Sequence, residues 1–118
     1  NRDAVRASMF QASIFDPTQD HTASARLGFP CLQHVSFVPH GGELVMNAFY
    51  ATQKVLTKSY GNYLGLIRLG RFMAAEMNLR LTRFNVFVGV AKLDEIGKTT
   101  SAFRPILDAA TSLVGVTP

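Results

Sequence analysis

The chain of 118 residues has a single cysteine, Cys31. One thiol excludes an internal disulfide, so a reducing, cytoplasmic setting is the expectation. With His21, His34 and His40 set apart from one another and from any close carboxylate spacing, a structural zinc centre is not indicated either. No apolar run approaches the roughly 20 residues that cross a bilayer, and no signal-peptide pattern is visible. Lys and Arg form no run and are not interleaved with aromatics, which argues against a nucleic-acid platform. There is no G-x-G-x-x-G after a strand, no phosphate loop, no internal repeat and no low-complexity segment.

What remains is a moderately basic chain with 12 Lys and Arg against 8 Asp and Glu, a balance that suits anionic ligands without naming one. The length allows a single domain over residues 1–118 with one hydrophobic core. Residues 8–15 read as a strand stopped by Asp16-Pro17, because Pro has no N–H for a ladder. A polar loop over residues 18–27 follows. Residues 32–39 and 43–50 read as strands joined by His40-Gly41-Gly42, where two glycines accept the positive φ of a hairpin turn.

Asn62 stands before an apolar periodicity of Tyr63, Leu66, Ile67, Gly70, Met73, Ala74 and Met77, the signature of a helix packed on a sheet. Gly65 and Gly70 each cost roughly 1 kcal/mol relative to Ala in a helix, so both are expected to mark close backbone approach. Asn78 closes the helix, and residues 81–90 read as a buried strand. Residues 105–113 read as a short helix, and residues 114–118 as a tail.

Two side chains could carry chemistry. Cys31 is either a small buried hydrophobe or a nucleophile. Asn62 is either a helix N-cap or a reader of a planar base edge, since its carboxamide offers an acceptor and two donors in one plane. His34 follows Cys31 by three residues, and strand alternation places it on the opposite face, so a Cys/His dyad is not supported.

The landmarks Phe29-Pro30-Cys31, Tyr50-Ala51-Thr52, Gly61-Asn62-Tyr63 and Ala91-Lys92-Leu93-Asp94 fall in the order and spacing of the nucleotide-binding half of thymidylate synthases. Residues 29–94 therefore resemble that family and the related pyrimidine nucleotide hydroxymethylases. The resemblance implies an α+β fold, a thymidylate synthase-like mixed sheet with a long apolar helix packed on one face. It implies that the family's N-terminal part is not in this sequence. It also implies a thiolate at Cys31 that adds to C6 of a pyrimidine, and a uracil reader at Asn62. Tyr50, Thr52, Lys54, Lys92 and Asp94 become substrate-binding candidates. A catalytic member would use a reduced folate, methylenetetrahydrofolate, and the partner expected is a second copy, a homodimer formed through the sheet with Val35, Phe37, Val45 and Phe49 as candidate contacts.

Several positions depart from the family pattern. Ala51 stands where the family has the Arg that binds the nucleotide phosphate and stabilises the thiolate. Lys54 replaces an acidic residue. Lys92 and Asp94 replace the His and Tyr that reach the sugar, and Ser8 and Met9 replace paired Arg residues, with Arg2 and Arg6 nearby. A free thiol titrates near pH ~8.5 and needs cationic neighbours to become reactive at neutrality. The function expected is either a folate-dependent pyrimidine C5-methyl- or hydroxymethyltransferase, or a non-catalytic nucleotide-binding or scaffold homologue. An enzyme acting on a non-phosphorylated or differently phosphorylated pyrimidine is a third reading, which Ala51, Lys92 and Asp94 also fit.

Overall fold

The computed structural model describes residues 6–21, 29–93 and 104–115. It has a mixed α+β architecture, with one four-stranded sheet in the order β1-β2-β3-β4. The strands are β1 (Gln11–Ser13), β2 (Leu32–His40), β3 (Glu43–Lys54) and β4 (Arg80–Lys92). The described helices are α1 (Pro17–Asp20), α2 (Ser59–Glu76) and α3 (Arg104–Val114). No described helix is long and apolar enough to cross a membrane.

The β2–β3 hairpin is antiparallel and closes with His40 opposite Glu43. Gly41 at φ 55° and Gly42 at φ 82° form its two-residue turn, a left-handed pair that matches strand twist and that side chains with a Cβ resist. β3 then runs to Lys54, four residues beyond the expected end. β4 returns parallel to β3, which requires a crossover, and α2 supplies it.

β3 places Leu44, Met46, Ala48 and Tyr50 on one face, all buried, and β2 adds Val35 and Phe37. α2 covers this face with Leu66, Gly70 and Ala74. At Gly70 the approach is close: a Cβ there would lie 3.0 Å from the Met46 sulfur and 3.1 Å from a Leu81 methyl. Gly65 is different. Its Cβ position meets nothing within 4 Å, so the expected close approach there is corrected. The helix is also not apolar throughout, because Arg68, Arg71, Tyr60 and Phe72 lie exposed and only a narrow stripe is buried.

Other expectations change as well. The first strand shrinks to three residues, since a 3₁₀ turn at Ala7–Met9 precedes it and α1 replaces the start of the polar loop. Asp16 caps α1, its carboxylate accepting from the Thr18 backbone N–H at 2.9 Å with Pro17 at the first helical position. The Thr18 hydroxyl, which donates to the same carboxylate at 2.7 Å, and then the Thr18 backbone N–H hold the Asp16 carboxyl below its usual pKa. Among the described residues β4 is an edge strand paired only to β3, and none of its residues is buried, which corrects the reading of a buried strand. The homodimer candidates divide: Val35 and Phe37 are consumed by the core, whereas Val45 and Phe49 lie on the opposite face. α3 forms where a helix was expected, with Ile106 and Leu113 exposed.

Candidate functional site

The C-terminal end of β3 is where the candidate residues gather. The Ala51 N–H donates to the Cys31 carbonyl at 3.1 Å, and Leu32 pairs with Tyr50, so the segment carrying the thiol is pinned against this end of the sheet. Cys31 is exposed, not a core residue. Tyr50 beside it is 4% exposed. Burial first, then the neighbouring Tyr63 hydroxyl and the Cys31 thiol, raise the Tyr50 pKa. The phenol therefore stays protonated next to the thiol, available as a donor.

The sheet's alternation shifts phase here. Tyr50 and Gln53 are three residues apart, an odd spacing that should separate them, yet both are buried. Gly89 on β4 meets the same stretch, and a Cβ at Gly89 would lie 2.9 Å from the Ala51 carbonyl oxygen, so β4 passes Ala51 more closely than any side-chain-bearing residue permits. Gln53 accepts a 2.7 Å hydrogen bond from the Tyr63 hydroxyl of α2. Tyr63 is braced in turn by Phe84, ring centroids 6.2 Å apart in an edge contact. The Gln53 Nε2 is buried and finds no acceptor among the described residues. Such an orphan is rare enough in folded proteins to need a reason.

Asn62 is not the helix cap. α2 begins at Ser59 with Lys58 at the N-cap position, and Ser59 Oγ donates back to the Val55 carbonyl, which starts the helix one turn early. Asn62 is half-buried inside the first turns, next to Tyr63, and its side chain makes no hydrogen bond to a described residue. The carboxamide is thus not spent on capping. Thr52 is half-buried opposite Val90. Lys54 and Lys92 are exposed and are register partners at the ends of β3 and β4. Asp94 lies outside the described residues, as does Arg2, while Arg6 is exposed.

The structure brings Cys31, Tyr50, Thr52, Lys54 and Lys92 to one end of the sheet and Asn62 to the adjoining helix. Sequence reasoning missed Gln53 and Tyr63. Tyr63 was visible only as a helix-stripe member, and Gln53 carried no signal, because its burial depends on a phase shift that no local pattern announces. His34 pairs with Phe49 on the face away from α2, and a β-bulge between Leu32 and His34 interrupts the simple alternation that was expected to separate it from Cys31. No group of three metal-ligating side chains occurs among the described residues. The chain matches no protein-family model, and no curated protein matches it.

Proposed function

We propose that the chain is a thymidylate synthase-like protein that binds a uracil-type pyrimidine nucleoside or nucleotide, with Cys31 as the nucleophile toward C6 and Asn62 as the base reader. One observation carries this reading: an exposed thiol stands beside Tyr50, whose phenol is held protonated, at the sheet end that α2 joins with an unspent Asn62 carboxamide. The chemistry is a reversible conjugate addition. The Cys31 sulfur forms a bond to C6, the C5–C6 π pair moves toward the C4 carbonyl oxygen, and donors at that oxygen stabilise the developing charge. A proton then enters at C5, and reversal removes a C5 proton and breaks the S–C6 bond.

A methyl- or hydroxymethyltransferase of this kind would take its one-carbon unit from a reduced folate. Among the described residues, no group at this end of the sheet has a geometry that specifies a folate, so no step is derived through one. The reading without catalysis, a nucleotide-binding or scaffold homologue, is favoured by Ala51, which supplies its backbone N–H to the Cys31 carbonyl and no cation to the thiol. Under either reading the assembly we propose is a homodimer that covers the sheet face opposite α2.

The test needs no folate. Incubation of deoxyuridine or dUMP with the protein in heavy water should place deuterium at C5, followed by proton NMR, and Cys31→Ser should abolish the exchange. Ligand binding without exchange in the wild type would select the non-catalytic reading. Absence of binding by either pyrimidine would end the catalytic and nucleotide-binding readings and leave only the scaffold homologue.

A further inference from the structure

α2 is held to the sheet in two different ways along its length. Its buried residues are Leu66, Gly70 and Ala74, and none precedes Leu66. The turns before Leu66 have little to hold them. Lys58 at the N-cap makes no side-chain cap, Tyr60 is 78% exposed, and a Cβ at Gly61 would meet nothing within 4 Å. Asn62, the proposed base reader, sits in this stretch.

The side chain that ties the stretch down is Tyr63. Its ring meets Phe84 of β4 edge-on at 6.2 Å, and its hydroxyl donates to the Gln53 carboxamide of β3 at 2.7 Å. Among the described residues no other side-chain hydrogen bond joins α2 to a strand. For stability alone the pair is a poor choice. Gln53 is 3% exposed, and its Nε2 finds no acceptor among the described residues. A stranded buried donor is costly, and two apolar side chains of similar shape would avoid it. What the bond supplies instead is geometry, since a hydrogen bond restricts distance and angle whereas apolar contact is non-directional.

We propose that Gln53 is a positioning residue: through the Tyr63 hydroxyl it fixes the first turns of α2 against the end of β3, and so sets where Asn62 stands relative to Cys31. Gln53 touches no reacting atom. The Ala51 N–H ties the Cys31 carbonyl to the same stretch of β3, two residues before Gln53, so one strand end is the common frame for the thiol and the base reader. The effect on ligand rests on the pyrimidine reading. Anchoring of the helix start does not.

The combined variant Gln53→Leu, Tyr63→Phe tests this, because it removes hydroxyl and carboxamide together and keeps the ring on Phe84. Its urea midpoint is expected at or above the wild-type value, since both polar partners leave at once. Native-state amide exchange reads the anchoring without any ligand. The Asn62 N–H, bonded to the Lys58 carbonyl at 3.1 Å, and the Tyr63 N–H are the reporters. Both should exchange at least about tenfold faster in the variant, while Gly70 and Ala74 keep wild-type rates. Deoxyuridine affinity should fall at least about tenfold, and adding Asn62→Ala to the variant should cost less than it does in the wild type, because Gln53 acts through Asn62. Ligand-free alkylation of Cys31 should keep its wild-type pH profile, because the strand end that holds the thiol is intact. Tyr63→Phe alone is read in the same way if the combined variant does not fold.

Unchanged exchange at Asn62 and Tyr63 would overturn the proposal whatever the protein binds. An equal rise at Gly70 and Ala74 would also overturn it, by showing a general loss of stability. Affinity losses that simply add to those of Asn62→Ala would refute action through that residue. If the wild type binds no pyrimidine, the pyrimidine reading fails, while faster exchange confined to Asn62 and Tyr63 still supports Gln53 as the anchor of the helix start.

Discussion

The two faces of the sheet have opposite economies. The face under α2 is apolar and interlocked, with Leu44 and Met46 fully buried and Gly70 allowing the helix to touch them. The other face carries a polar row across the strands: Asn85 donates to Asn47 at 2.9 Å, and Asn47 donates to Ser36 at 3.2 Å. Beside that row Phe49 and Phe87 stack at 5.6 Å, with Phe87 65% exposed. One face is stabilised by removing surface from water. The other fixes register through side-chain ladders and leaves an aromatic pair in solvent, the face that the proposed homodimer would cover.

The sharpest way to break this contrast is in the core. Leu44→Ala should cost about 2–5 kcal/mol, read as a shift in the urea midpoint at unchanged slope, because a fully buried leucine leaves a cavity that a strand and a helix cannot both collapse into. A loss below about 1 kcal/mol would mean that α2 does not seal this face.

Gly89→Ala comes next and inverts the usual rule for exposed positions. Gly89 is exposed, but its new Cβ meets the Ala51 carbonyl at 2.9 Å, and backbone must move to relieve it. A destabilisation of about 1–3 kcal/mol is expected. Thermal unfolding that matches wild type would show that β4 can drift from β3 without cost.

Phe87→Ala separates an open face from a covered one. In a monomer it removes a stacked pair and about 0.5–1.5 kcal/mol. In the proposed homodimer the loss should be larger and should depend on protein concentration, with the sedimenting species falling to a monomer. A wild-type protein that sediments as a monomer at micromolar concentration would refute that assembly.

The smallest effect is in alkaline titration. The Tyr50 pKa is raised in the folded state from its ordinary 10.0, so the contribution to stability is fully present below pH 10 and is lost as pH rises through the higher folded value. Tyr50→Phe should flatten that alkaline decline while leaving the profile below pH ~9 unchanged. A decline that persists in the variant would assign it to another group.

Much of the fold was legible because the signals are local. Gly41-Gly42 announces a turn by backbone sterics, period-two apolar residues mark β2 and the first part of β3, and the stripe from Tyr63 to Met77 marks α2. Asn78 was read as the helix stop, and it takes φ 54° there, a left-handed value that Asn tolerates better than most residues. The start of α2 was misread because Asn62 is a good cap residue, while the Ser59 hydroxyl bonding back to Val55 lies outside the usual capping pattern. The apolar run of β4 looked buried because periodicity reports which residues avoid water, not whether a strand has neighbours on both sides.

The candidate site divides along the same line. Cys31 and Asn62 could be singled out by residue chemistry and spacing. Gln53 and Tyr63 could not, since their contact depends on where α2 begins and on the phase shift of β3 near Gly89.

By itself the sequence determined the hairpin, the helix stripe, the single thiol and the positive charge. Those follow from steric preference and composition, which act over a few residues. Only the tertiary structure decided that β4 lies parallel to β3, that Tyr50 is buried beside an exposed Cys31, and that Gln53 is buried against Tyr63 with an amide nitrogen that finds no acceptor among the described residues. Such outcomes depend on which distant segments pair, and burial and electrostatic neighbours exist only once they have.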